Sequence, residues 1–279
     1  MSRLSVEAGT EKRGTILKVY GFLIFVFLYI PLVVVIVFSF SPTKTIVGMS
    51  GVTLKWYKEL ARDAELLKAL LHSVEIGVLA VVISLLFGTS GAFFITRVRF
   101  PGKGVLRAII LLPYILPGII MGLTLLIFVR SLHIPLSMLT VLMGHVSFTT
   151  PIVLFQVSSR ILRLGPTYKM AAMDLGATPV KAFIFVTLPM IRTALIGAAL
   201  LAFTVSFDEI VISYFLTGTW MTLPVYLYGM LRFGLSPKVY AVSGFILALS
   251  LSLILLMTRY IGSSAEVVVP KKKLIKASR

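Results

Sequence analysis

Six runs of predominantly apolar residues, at 20–40, 73–95, 105–130, 136–157, 190–215 and 241–261, constrain this chain of 279 residues more than any other feature. A run of about 20 residues matches a hydrocarbon core roughly 30 Å thick. In lipid the backbone must satisfy its own hydrogen bonds, and a continuous apolar run does so as a helix. The expected fold is therefore an all-α membrane protein with six transmembrane helices. The chain is 58% hydrophobic and 13% charged, whereas soluble domains are roughly a quarter charged.

Charge placement orients the spans. An even number of crossings puts both termini on one side, and 19 of the 27 Lys/Arg residues then fall on that side. The positive-inside rule makes it the cytoplasmic side. Of the 8 basic residues on the opposite side, 5 lie within 44–68. The net charge of +17 is thus explained by orientation and anionic lipid, and no nucleic-acid partner is expected. The expected layout is a cytoplasmic tail at 1–19, a first helix at 20–40, a core of five helices over 70–261, and a basic cytoplasmic tail at 262–279. Lys271, Lys272 and Lys273 in that last tail are expected to meet lipid headgroups. The first span is too long for a cleaved signal peptide and has no small-x-small site after it, so it is expected to be retained. Pro31, Pro113 and Pro117 are expected as tolerated kinks. Thiolate metal sites are excluded by the absence of cysteine.

The longest cytoplasmic loop, 158–189, carries its own folding signals. Gly165-Pro166 ends one helix and starts another, with proline suited to a first helical position. Gly176 is a left-handed stop. Thr178-Pro179 reads as an N-cap followed by a first-turn proline, and Leu188-Pro189 is expected to break the second short helix where the fifth span begins. On a helical wheel Ala171, Ala172, Leu175 and Gly176 share a side suited to close packing. Met170, Met173, Asp174 and Ala177 lie opposite, where they can face a partner. Local chemistry alone leaves open an ordinary amphipathic surface loop.

The sequence Ala171-Ala172-x-Asp174-Leu175-Gly176-Ala177, followed by Leu188-Pro189, resembles the EAA motif of ABC-importer permeases. The departure is Met170, where the family has glutamate. A second resemblance spans about residues 70–260: the stretches 113–117, 144–148, 206–224 and 231–236 look like those of spermidine and putrescine importer permeases of the PotC/PotI group. The resemblance implies the type I (MetI-like) permease fold, with coupling helices between the fourth and fifth transmembrane helices. It also implies an assembly of two ATP-binding subunits, a second homologous permease in a heterodimer, and an extracytoplasmic binding protein, in a bacterial cytoplasmic (inner) membrane. Met170, Ala171, Ala172, Met173, Asp174, Gly176, Ala177, Leu188 and Pro189 would then couple the chain to its ATPase.

No phosphate loop of the G-x-x-x-x-G-K-[ST] type is present, and no loop is long enough for a nucleotide-binding domain. No catalytic residue, cofactor or metal site is expected in this chain; ATP and Mg would be held by the partner ATPase. Of the few acids, Glu75, Asp208 and Glu209 fall in or beside spans, all toward the outer mouth. There they can attract a cation, with Tyr214 and Trp220 able to add cation–π contacts. The alternative is that Asp208 and Glu209 face water at a helix end or pair with the second permease. Some polyamine permeases have an acid where this chain has Gly118. Other cargoes in the same class are metal ions, opines and phosphonates. A proton- or ion-coupled secondary transporter is the alternative class, which would show inverted repeats. His145 is expected to bridge helices by hydrogen bonds, with a proton relay as the alternative; His72 and His133 are expected at span boundaries.

Overall fold

The computed structural model describes residues 3–42, 51–232, 234 and 237–265. Lys271, Lys272 and Lys273 and the rest of the tail beyond 265 lie outside the described residues. Helices form α1 (Arg3–Phe38), α2 (Lys55–Ala61), α3 (Ala64–Arg97), α4 (Lys103–Ile115), α5 (Gly118–Ser131), α6 (Met138–Leu164), α7 (Thr167–Asp174), α8 (Pro179–Ala182), α9 (Leu188–Phe207), α10 (Val211–Leu216), α11 (Leu223–Arg232) and α12 (Pro237–Ala265). A π-helical turn, Phe183–Thr187, joins α8 to α9. No strand occurs among the described residues.

The count of six straight spans is not reached over the described residues. Leu17–Phe38, Ala64–Arg97, Met138–Leu164 and Pro179–Phe207 are long and apolar enough to cross. The expected third span, 105–130, is instead a pair, α4 and α5, bent by 104°. Proline disfavours the helical region for the residue before it, and Leu116 is extended at φ −66°, ψ 141°. Pro117 follows at φ −54°, ψ 134°. Two successive extended residues break the helix in place of the expected kink, while Pro113 stays inside α4. The sixth expected run, 241–261, lies within α12, a helix of 29 residues, whose side chains are described as far as Ser252 and are apolar over Pro237–Ser252.

The expected fifth span, 190–215, shifts toward the N-terminus: the crossing helix begins at Pro179 and ends at Phe207. Leu188-Pro189 does not break it. Pro189 has no N–H to give to the ladder, and the π-turn just before it moves the bonding register by one residue, with the Leu188 N–H donating to the Phe183 carbonyl. Thr187 adds its hydroxyl to the Ala182 carbonyl. The helix passes the proline without a break.

Two compact units divide the chain: 64–232 is one, and 1–63 with 233–279 is the other. In the first, α3, α6 and α9 share a core of Ala92, Ile95, Val153, Leu154, Val157, Ile161, Ile191, Ala198 and Ala202. A second cluster joins α3, α5, α6 and α10 through Ile76, Met121, Val141, Phe148, Ile212 and Leu216. The α3 face is built from small buried residues at nearly four-residue spacing: Gly77, Ala80, Ser84, Gly88 and Ala92. Such a stripe lets membrane helices approach closely. The Ser84 hydroxyl lies 2.7 Å from that of Thr149.

A Cβ on Gly88 would stand 2.8 Å from the Val153 Cβ and 3.0 Å from the Thr150 carbonyl oxygen. Backbone atoms cannot yield there. Gly88→Val is expected to destabilise the chain by about 2–3 kcal/mol, the upper range for overpacking. Gly104→Ala, whose added carbon meets nothing within 4 Å, serves as the neutral control. Thermal unfolding in detergent, followed by loss of the monodisperse species, measures both.

In the other unit, α1 is apolar almost all round from Val19 to Phe38 and exposed along most of that stretch, the pattern of a helix that faces lipid. Its end is pinned to α2 and α12. The Trp56 Nε1–H donates to the Ser41 carbonyl at 2.8 Å, Ser39 and Tyr57 share a hydrogen bond, and Phe38 meets Tyr240 at 6.0 Å. Lys238 closes the group on Asp63 at 2.6 Å.

Candidate functional site

Helix α9 separates two features. Its first residue follows the 166–187 segment, and its last precedes Asp208 and Glu209. Twenty residues at about 1.5 Å each hold them roughly 30 Å apart.

The segment at the N-terminal end folds as its sequence directs. Gly165 ends α6 at φ +64°, and Gly176 ends α7 at φ +86°. The Ala177 N–H donates to the Ala172 carbonyl and the Gly176 N–H to the Met173 carbonyl, which is a Schellman motif. Thr178 then caps α8, its hydroxyl accepting from the Lys181 N–H, with Pro179 in the first turn. α7 has 8 residues, a length of about 12 Å, too short to cross a membrane.

Two arginines tie this segment to the core. Arg97, the last residue of α3, donates to the Gly165 carbonyl at 2.8 Å. Arg160 of α6 donates through Nε and Nη2 to the Met190 carbonyl at 3.2 and 3.1 Å. Phe183 packs edge-on against Phe93, and Ala182 and Ile191 are buried. In the sequence Arg97 and Arg160 serve only to orient spans. Their clamping role is not readable there, because each acts on a carbonyl 30 or more residues away.

The opposite face is bare. Met170 is 58% exposed, Met173 40% and Leu175 89%, and Tyr168, Val180 and Phe185 are exposed as well. The expected packed side is therefore not formed as a whole: Leu175, which caps the helix, is open to solvent. Ala172 and Ala177 are half-buried, while Ala171, Asp174, Gly176, Leu188 and Pro189 are exposed. Apolar side chains left exposed together in a short segment are a feature of interaction sites.

At the far end of α9 the chain breaks over Asp208–Ile210 and restarts as α10. The expected span thus ends before Tyr214. Asp208 is exposed and Glu209 half-buried. Glu209 Oε1 accepts from the Ile212 N–H at 2.9 Å, so this carboxylate caps α10 with one oxygen. Tyr214 is exposed beside Tyr228, and its hydroxyl accepts from Arg232. Trp220 stacks on His72 with ring centroids 3.9 Å apart, which covers one indole face. Glu75, three residues beyond His72 on α3, is exposed.

His145 fastens this break from within. It is buried, with Nδ1 2.7 Å from the Ser206 hydroxyl and Nε2 2.8 Å from the Ser213 hydroxyl. Ser213 gives its one proton to the Glu209 carbonyl, so it accepts from Nε2–H. Nδ1 then accepts from Ser206. The expected interhelical bridge is present and joins α6 to α9 and α10. His72 also does more than mark a boundary: its Nδ1 lies 2.9 Å from the Met221 carbonyl oxygen. With Ser73, whose hydroxyl accepts from the Leu223 N–H, it holds the 220–223 stretch against α3.

No family model matches the chain. Individual relatives do. The putrescine permease PotI of Escherichia coli strain K12 is 38% identical over 231 residues, covering 80% of this chain and 82% of that protein. The spermidine/putrescine permease PotC of the same strain is 33% identical over 233 residues, covering 83% and 88%. PotC of Haemophilus influenzae is 30% identical over 238 residues, covering 85% and 93%. Among solved structures, a bacterial ABC transporter that imports alginate aligns with a TM-score of 0.65 at 18% identity, covering 95% of this chain and 98% of that one. The methionine ABC transporter MetNI aligns at 0.59 and 18%, covering 76% and 98%. These structures share the fold, and the sequence relatives go further: the chain belongs to the PotI/PotC family of ABC-transporter permeases, a family of membrane transport subunits rather than enzymes.

Proposed function

We propose that this permease carries small polyamine cations, putrescine or spermidine, inward across a bacterial inner membrane, with both termini cytoplasmic. The energy comes from ATP and Mg bound on a separate pair of ATPase subunits. A second, homologous permease completes the pathway, and an extracytoplasmic protein delivers the cargo. The observation that carries the reading is the exposure of Met170, Met173 and Leu175 in and just after α7, a segment tied to α3 and α6 by Arg97 and Arg160. Movement of an ATPase against that segment would be passed to the long helices rather than lost in a slack loop. Met170 fits this use, because an unbranched thioether adapts to an irregular groove. Met173, Asp174 and the Gly176-Ala177 turn complete the contact, and the continuous helix through Leu188 and Pro189 carries the displacement into α9.

The cargo assignment rests on kinship with PotI and PotC and on the sign of the charge at the far end of α9. Asp208 and Glu209, with Glu75 on α3, favour cations over anions. Tyr214, which is exposed, can stack on alkylammonium groups, whereas Trp220 is engaged by His72 and the second apolar cluster. His145 keeps the break that bears the acids in place.

The test is reconstitution in proteoliposomes with the ATPase, the second permease and the binding protein, measuring ATP hydrolysis against a panel of solutes. Putrescine or spermidine should stimulate hydrolysis several-fold, while a phosphonate, an opine and a divalent metal ion should not. Stimulation by one of those solutes alone would reject the polyamine assignment. Uptake by the purified chain alone, driven by an ion gradient, would reject the ATP-driven reading.

A further inference from the structure

Helix α2 bears an unexplained charge pattern. Lys55, Lys58 and Arg62 stand at i, i+3 and i+7, which places them on one face of a helix. Trp56 and Leu60 are buried on the other. The three cations line a recess of ≈ 430 Å³ together with Thr53, Leu54 and Glu59. Carboxylates nearby do not quench that charge. Glu59 lies 3.9 Å from Lys55 in an exposed pair, which is weak, and Asp63 is held by Lys238. Neither Lys58 nor Arg62 makes an ion pair among the described residues.

This cluster also runs against the charge bias of the chain, because it lies on the side poor in Lys and Arg. Its depth is set by α1. The apolar stretch Leu17–Phe38 has 22 residues, about 33 Å of helix, which consumes the whole hydrocarbon core. Ser41, three residues later, accepts the Trp56 Nε1–H. That bond fixes α2 at the level where acyl chains give way to headgroups, the usual position of tryptophan. Val52 and Leu54 are exposed directly before the cations.

We infer that α2 lies in the membrane interface and that the recess formed by Lys55, Lys58 and Arg62 binds the phosphate of an anionic phospholipid headgroup in the leaflet at the C-terminal end of α1. Val52 and Leu54 enter the acyl boundary while the three cations stay at the phosphate plane. A soluble acidic partner would match the charge and leave those two apolar side chains in water. A cation near an anionic lipid surface strengthens association by about fivefold.

The chain has two tryptophans, so Trp220→Phe leaves Trp56 as the only indole, adjacent to the recess. Its fluorescence in the full chain, in phosphatidylcholine nanodiscs containing a fixed fraction of phosphatidylglycerol, is read with bromine placed on the acyl chains of one lipid or the other. Brominated phosphatidylglycerol should quench Trp56 more strongly than the same mole fraction of brominated phosphatidylcholine. The preference should fall at least fivefold in Lys58→Gln/Arg62→Gln. Inorganic phosphate at matched ionic strength should leave it unchanged. Equal quenching by both lipids, or a preference that survives the double substitution, overturns the inference. Loss of the preference on adding inorganic phosphate would assign the recess to free phosphate instead. Circular dichroism and thermal unfolding of the double variant separate lost binding from lost folding.

Discussion

Leu175→Glu is expected to abolish transport while leaving the permease folded. Leu175 is 89% exposed and caps α7 through its backbone, so the substitution removes no packing; a surface change of this kind alters stability by about 0.5 kcal/mol or less. If the same position meets the ATPase in the assembled transporter, as proposed, an unpaired carboxylate in that apolar contact costs several kcal/mol. About 3 kcal/mol is a factor of about 100 in affinity. The ATPase should therefore fail to co-purify with Leu175→Glu, and uptake should fall about 100-fold, with the thermal midpoint of the permease unchanged. Met173→Glu should act in the same way, less severely because Met173 is 40% exposed. Full recovery of the ATPase with both variants would show that α7 is not the contact.

The second large effect belongs to the acids. Asp208→Asn and Glu209→Gln keep shape and remove charge. Glutamine retains the Oε1 that accepts from the Ile212 N–H, so the cap on α10 survives and the variant reports on charge alone. If a cationic cargo meets these groups, losing one charge-assisted contact worth about 1.5–3 kcal/mol raises the KM for putrescine at least tenfold. ATPase co-purification should be untouched. The comparison that isolates the structural role is Glu209→Ala, which also removes the cap and should lower stability by about 1 kcal/mol. An unchanged KM in the double amide variant would leave Glu209 as a helix cap and Asp208 as a solvated end.

Legibility in the sequence follows locality. The Gly165, Gly176 and Thr178-Pro179 signals act within a turn, and each forms the stop or cap expected of it. Apolar runs report membrane helices because burial in lipid needs no particular partner. The bend at Leu116-Pro117 exceeds the expected kink, since a proline alone does not reveal whether a helix kinks or breaks. Leu188-Pro189 errs in the other direction: a π-turn absorbs the missing amide, and nothing in composition announces a shift in register. Residues that act at long range are the hardest to see. Arg160 grips the Met190 carbonyl, and His145 joins Ser206 to Ser213. Both depend on which helices become neighbours. Glu209 stands out in the sequence for its charge, but its capping bond is hidden as long as the fifth span is expected to continue through it.

The chain contains no cysteine, so coupling through α7 can be measured directly. Met173→Cys and Leu175→Cys, each the only thiol in the permease, are to be expressed with an ATPase carrying single cysteines along its permease-facing groove and oxidised in membranes. A disulfide between the two proteins is predicted from both positions. None is predicted from Val105→Cys, which is exposed on α4 but lies outside the 166–188 segment. If no position from 166 to 188 crosslinks while transport persists, the segment is not the coupling element, and the ATPase must drive this permease through another surface.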